Sequence, residues 1–102
     1  MVNYETMLLF SPELEEDARN AIVENLTGVI TREGGQVAEL DHWGIRTLAY
    51  PVKKQTRGYY LRVVYDAPGA LVLELERNIR IADGILKFIT VKLAKSPEGQ
   101  EG

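Results

Sequence analysis

Apolar residues recur along this chain in two rhythms, a tight alternation and a three-to-four spacing, and the switches between them divide it into six segments. Residues 3–10, Asn-Tyr-Glu-Thr-Met-Leu-Leu-Phe, are rich in aromatic and aliphatic side chains and too short for an ordinary helix, so they predict a first strand. Ser11-Pro12 stops it. Serine can cap the free amides of a helix start, and proline suits the first helical position because its missing N–H costs nothing there. The acids Glu13, Glu15, Glu16 and Asp17 then fall near the positive end of the helix dipole. Leu14, Ala18, Ile22, Leu26 and Val29 or Ile30 form one apolar stripe, and Gly34-Gly35 supplies the stop.

Residues 36–52 read as extended, with Val37, Trp43 and Ile45 among the apolar members. Gly44 marks a bulge or a change of facing, and Pro51 indicates an edge strand. After the polar connection Lys53-Lys54-Gln55-Thr56-Arg57-Gly58 comes the clearest alternation in the chain. Tyr59, Leu61, Val63 and Tyr65 lie on one face, with Tyr60, Arg62 and Val64 on the other, as expected for the second arm of a hairpin. Asp66-Ala67-Pro68-Gly69 resets the period, and Leu71, Val72, Leu75 and Ile79 predict a second amphipathic helix. The Asp83-Gly84 turn leads into a last strand over residues 85–93, where Ile85, Ile89, Val91 and Leu93 are expected to point inward and Lys87 is the exception.

Strand, helix, strand, strand, helix, strand is the split βαβ order. It predicts an α+β, ferredoxin-like βαββαβ fold, in which two right-handed crossovers place both helices on one face of a four-stranded antiparallel sheet. The expected domain spans residues 1–95. Residues 96–102, Ser-Pro-Glu-Gly-Gln-Glu-Gly, have no large apolar side chain and are expected to form a disordered tail.

A length of 102 residues fits one domain, whose folding would bury about 65% of the surface of the unfolded chain. No cysteine is present, which excludes disulfides, a thiolate nucleophile and cysteine metal sites and fits the cytoplasm. No run approaches the roughly 18 apolar residues of a spanning helix, and Met-Val-Asn-Tyr-Glu lacks the features of a secretion signal, so no membrane role is expected.

The net charge of −3 conceals a segregation. Residues 1–41 hold Arg19 and Arg32 against nine acids, whereas residues 42–65 hold Arg46, Lys53, Lys54, Arg57 and Arg62 with no acid. Charges beyond about 8 Å are largely screened at physiological salt, so this local basic zone decides what the chain attracts.

Candidate chemistry follows the same division. His42 is the only histidine and has no companion ligands, so no metal site is expected. The acidic cluster at 13–17 lacks the spacing of a calcium loop, Ser11, Thr47 and Thr56 have no triad context, and the glycines form no phosphate-cradling loop. No cofactor or small-molecule substrate is expected. The segment His42-Trp43-Gly44-Ile45-Arg46 through Tyr50-Pro51-Val52-Lys53-Lys54, continued by Arg57-Gly58-Tyr59-Tyr60-Leu61-Arg62, interleaves rings with cations. That composition suits RNA, since bases stack on aromatics while Lys and Arg meet phosphates; sheet packing with a solvated hairpin is the competing explanation. Arg57-Gly58-Tyr59 resembles the opening of the RNA-recognition-motif signature, but Tyr60, Leu61 and Arg62 depart from it.

Taken together, these blocks resemble the bacterial small ribosomal subunit protein six family. The resemblance covers residues 2–95 and rests on Tyr4-Glu5, the run Gly44-Ile45-Arg46-Thr47-Leu48-Ala49-Tyr50-Pro51-Val52-Lys53, Gly58-Tyr59-Tyr60, and Leu75-Glu76-Arg77-Asn78-Ile79-Arg80 leading to Ile85-Leu86-Lys87-Phe88. It implies a structural, non-enzymatic component of the small ribosomal subunit that binds the central domain of 16S ribosomal RNA together with small ribosomal subunit protein eighteen. The basic positions carried over are Arg46, Lys53, Lys54, Arg80, Lys87 and Lys92, to which the basic zone adds Arg57. At Lys87 the family more often has arginine, and lysine keeps the charge without the bidentate geometry. Trp43, Tyr50 and Tyr60 are the residues expected to face the partner protein. Charge suggests why a partner is needed: the Glu-rich first helix opposes phosphates, so a basic companion would add cations and cover apolar surface. The rival readings are a small ferredoxin-like enzyme, such as an acylphosphatase or dimeric monooxygenase, and a ligand-sensing regulatory module. The acidic Ser11-Pro12-Glu13 is unlike an acylphosphatase phosphate loop.

Overall fold

The computed structural model describes residues 2–93. Six elements follow in the expected order: β1 (Val2–Phe10), α1 (Glu16–Arg32), β2 (Gln36–Val52), β3 (Gln55–Ala67), α2 (Gly69–Ile81) and β4 (Ile85–Lys92). The strands form one antiparallel sheet in the order β2-β3-β1-β4. The edge position of β2 agrees with Pro51, which lacks a ladder donor. The expected tail over 96–102 and the end of the expected domain lie outside the described residues.

One layer of helices covers one face of this sheet. Leu8 and Phe10 of β1 and Leu61, Val63 and Tyr65 of β3 pack with Val23, Leu26, Val29 and Ile30 of α1 and Leu71, Leu75 and Ile79 of α2 in a single buried cluster. The alternation expected in β3 is observed, because its inward residues are those that meet the helices.

The first helix begins later than its sequence signals suggest. Ser11 Oγ accepts the Glu13 N–H at 3.2 Å inside the preceding turn, and helical geometry starts at Glu16 after Glu15, which makes no side-chain cap. Neither Ser11 as cap nor Pro12 as first helical residue therefore holds. The stripe also rotates: Ala18 is exposed and Val23 is buried, so the inward row runs through Arg19, Ile22, Val23, Leu26, Val29 and Ile30. The stop is as expected. Gly35 N–H donates to the Ile30 carbonyl at 2.8 Å and Gly34 N–H to that of Thr31 at 3.2 Å, with Gly34 at φ +93°, which is the Schellman arrangement.

The last strand faces the opposite way to expectation over most of its length. Leu9 pairs with Lys87 but Phe10 pairs with Ile85, so a bulge at Leu86 inserts one residue and shifts the facing beyond it. Ile85 stays with the core, Phe88 and Thr90 face the helices, and Ile89 and Val91 lie on the open face beside Lys87. Leu93 extends the pairing by donating its N–H to the Asn3 carbonyl at 2.9 Å.

Between β2 and β3 the connection is tighter than the polar run implies. Val52 pairs with Gln55, leaving the two-residue turn Lys53-Lys54, with φ of 49° and 68°. This pair of left-handed residues is the type I′ pattern that fits the twist of a hairpin, although it is built from lysines instead of the usual Asn-Gly. The hairpin projects past β1: the last β1 residue, Phe10, pairs with Tyr59, so residues 55–58 and their β2 partners have no β1 neighbour. Four extended residues add about 13 Å. At the base of this projection, a Cβ on Gly58 would lie 2.3 Å from Leu9 Cδ1, so any larger residue there would displace the Leu9 side chain from its place across the strand.

Candidate RNA and partner interface

The basic zone falls on the projecting hairpin. Gly44 adopts φ +84° where the β2–β3 register shifts, and the bulged Trp43 turns onto the open face of the sheet. Its indole Nε1–H donates to Asp41 Oδ2 at 2.8 Å, and its ring lies 6.3 Å from that of Tyr60. The Arg46 guanidinium lies 5.7 Å from the Trp43 ring centroid, with Nε–H donating to the Trp43 carbonyl at 3.3 Å. Trp43 keeps 41% of its surface exposed, so this is a fixed aromatic platform and not a core residue.

Beyond Arg46, the β2–β3 pairing lapses from Thr47↔Arg57 until Val52↔Gln55. The intervening residues Leu48–Pro51 lie over the open face, where Leu48, Tyr50 and Val52 line a cleft with Leu9, Tyr60 and Lys87. Lys87 Nζ donates to Tyr50 Oη at 3.3 Å and sits 5.6 Å from its ring centroid. Met7, Phe88 and Ile89 line a second cleft with Leu9, Tyr60 and Lys87.

Of the ten expected site residues, eight gather here. Arg46, Lys53, Lys54 and Arg57 line the hairpin end, Lys87 joins them through Tyr50, and Trp43, Tyr50 and Tyr60 share the open face. Two stand apart. Arg80, near the end of α2, pairs with Glu76 at 3.6 Å and lies 5.5 Å from the Phe88 ring on the helix-covered side. Lys92 is at the far end of β4, opposite Tyr4.

The remaining cation of the basic zone, Arg62, is already committed. Its Nε–H donates to Glu5 at 3.0 Å, Nη1 lies 3.5 Å from Glu39, and Asp41 is its β2 partner, so this charge is neutralised at the centre of the open face. The Glu5 hydrogen bond is the chief influence raising the Arg62 pKa above its ordinary value. The one signal in the sequence is the placement of Arg62 in the outward row of β3. Arg19 escapes sequence reasoning altogether. Its guanidinium stacks 3.7 Å from the Tyr59 ring centroid, and Tyr59 Oη is 2.8 Å from His42 Nδ1. Arg19 falls in the row of Ile22, Val23 and Leu26, a position where a cation signals a stacking partner.

That stacking also locates the acids. Tyr59 lies level with the end of β1, so the first turn of α1, with Glu16 and Asp17, sits at the hairpin end of the molecule, in the helix layer behind the sheet. Among the described residues, no group of three or more His, Asp or Glu side chains is placed to hold a metal ion, and no helix is long and apolar enough to cross a membrane.

A sequence model for ribosomal protein S6 matches residues 3–92. The chain belongs to the ribosomal protein S6 family. Its relatives include small ribosomal subunit protein bS6 of Nitratidesulfovibrio vulgaris strain DP4, 61% identical over 98 residues, or 96% of this chain and 97% of that one. The bS6 protein of Clostridium novyi is 45% identical over 93% of this chain and all of its own length. The crystal structure of 30S ribosomal protein S6 from Thermotoga maritima superposes with a TM-score of 0.85 at 27% identity, covering 90% of this chain and 87% of that one. The C-terminal domain of the Mycobacterium tuberculosis MgtC protein shares the fold alone, with a TM-score of 0.65 at 9% identity over 91% of this chain and 88% of that domain. As an S6 family member, the protein is a structural component of the small subunit in the cytoplasmic ribosome, not an enzyme, which sets aside the acylphosphatase, monooxygenase and regulatory-module readings.

Proposed function

We propose that this S6 family member binds the central domain of 16S ribosomal RNA jointly with small ribosomal subunit protein eighteen. In this reading Arg46, Lys53, Lys54 and Arg57 on the hairpin, with Lys87 beside them, meet phosphates. Trp43, Tyr50 and Tyr60 face the partner, and Arg80 and Lys92 add binding from outside the main group. The observation that carries the reading is the hairpin itself: it projects past β1 with four cations and no carboxylate on its own residues. Phosphate attraction is a local, counterion-releasing effect, so an overall acidic chain can still bind through such an arm. Glu16 and Asp17 at the same end weaken binding by the chain alone, and a basic partner offsets them.

Titrating the purified protein against the 16S junction, with and without protein eighteen, tests the joint part. Weak binding alone and tight binding together are expected; equal affinity in both cases would overturn it. Replacing Lys53, Lys54 and Arg57 by glutamine should lower affinity and reduce the slope of log K against log salt by roughly one for each phosphate no longer neutralised, leaving the unfolding midpoint in place. An unchanged slope would place the RNA surface elsewhere.

A further inference from the structure

We infer that Tyr50 is a positioning residue, which clasps the unpaired arm of β2 to Lys87 and thereby sets the hairpin cations and Lys87 into one phosphate-facing surface; the inference rests on the RNA-binding reading above. β2 and β4 are the two opposite edges of the sheet, so the clasp spans β3 and β1 and joins residues 37 apart in sequence. Leu48–Pro51 have no pairing to β3, and Pro51 has no N–H to give, so the ladder does not fix this arm. What fixes it is the cleft below, with Leu9 buried at 4% exposure beneath it, and the single tie from Tyr50 to Lys87.

The tie is not core packing, because Tyr50 is 61% exposed and Lys87 is exposed as well. Nor does it consume the cation. One of three ammonium N–H groups goes to Tyr50 Oη, which leaves two for phosphate oxygens. An ammonium near a ring at such an exposed site shifts a local equilibrium by a few-fold, so the tie biases the arm toward one pose without locking it. That is the behaviour expected of a device that lowers the ordering cost of a charged arm before RNA arrives.

The test combines hydrogen exchange of the free protein with salt-dependent RNA binding in the presence of the partner. Tyr50→Ala and Lys87→Met should each speed amide exchange in the ladder pairs that flank the arm, Thr47↔Arg57 and Val52↔Gln55, by about threefold; Tyr50→Ala should weaken RNA binding by a similar factor, and Lys87→Met by more because it also removes a phosphate contact. The double variant should exchange no faster than either single one, because both remove the same interaction. Tyr50→Phe, which keeps the ring, should fall between wild type and Tyr50→Ala, and Lys87→Arg should restore both readouts by stacking on the same ring. Exchange in the flanking pairs Thr47↔Arg57 and Val52↔Gln55 that is unchanged in Tyr50→Ala, or exchange effects that simply add, would overturn the clasp. Lys53→Gln with Lys54→Gln separates the two readings. A salt slope insensitive to that pair sinks the RNA surface, and with it the phosphate role of the clasp. A slope that responds to the pair, with exchange that ignores Tyr50, sinks the clasp alone.

Discussion

Tyr65 shows how a polar group survives at the centre of this core. It is fully buried, stacks on Tyr4 with ring centroids 5.8 Å apart, and shares a hydrogen bond of 2.9 Å with Thr6 Oγ1, which is in turn 2.9 Å from Thr90 Oγ1. The chain of hydroxyls satisfies the phenol without water. Burial is the main cause that raises the Tyr65 pKa above 10, because an anion there would lose its hydration. The unfolded tyrosine gives up its proton near pH 10 while the folded one holds it to higher pH, so this contribution to stability is complete below pH 10 and is lost as pH rises further. Denaturant midpoints should therefore fall on the alkaline side. Tyr65→Phe should flatten that fall and cost about 1 kcal/mol at neutral pH, with Thr6 still bonded to Thr90.

Elements differ in how much of them can be read from the chain, and the reason is distance in sequence. β3 is plain because Leu61, Val63 and Tyr65 meet the core at a strict period of two, and α2 because Leu71, Leu75 and Ile79 recur at four. β4 runs against its pattern since its facing depends on a bulge at Leu86 set against β1, a partner more than 70 residues away. The cations of the hairpin are legible as a group, being near neighbours in the chain. Their separation from Arg62 is not, because Glu5 lies 57 residues from it. The turn Lys53-Lys54 is also hidden, since neither residue favours the left-handed region. At that turn the demands of folding and of the proposed RNA binding pull apart. Lys53→Asn with Lys54→Gly should raise stability by roughly 1 kcal/mol through relief of strain, and should lower RNA affinity and the salt slope together. Equilibrium unfolding and RNA titration of the same variant check both halves.

The whole molecule has two unlike surfaces at one end. In front is the cationic hairpin over an open sheet face, and behind it is the acidic first turn of α1, with Arg19 stacked on Tyr59 between them. In the proposed function, such proximity of opposite charge is the reason to expect weak RNA binding by the chain alone, and it cannot be deduced from net charge, which averages the two. The open face also carries the single tryptophan of the protein, pinned at its bulge by Asp41 and part exposed. Trp43 is thus a built-in optical reporter of this face. In the proposed complex, a partner that covers the face should move its emission to the blue, whereas RNA that touches the hairpin tip alone should leave the colour unaltered, so one fluorescence titration can separate the two events.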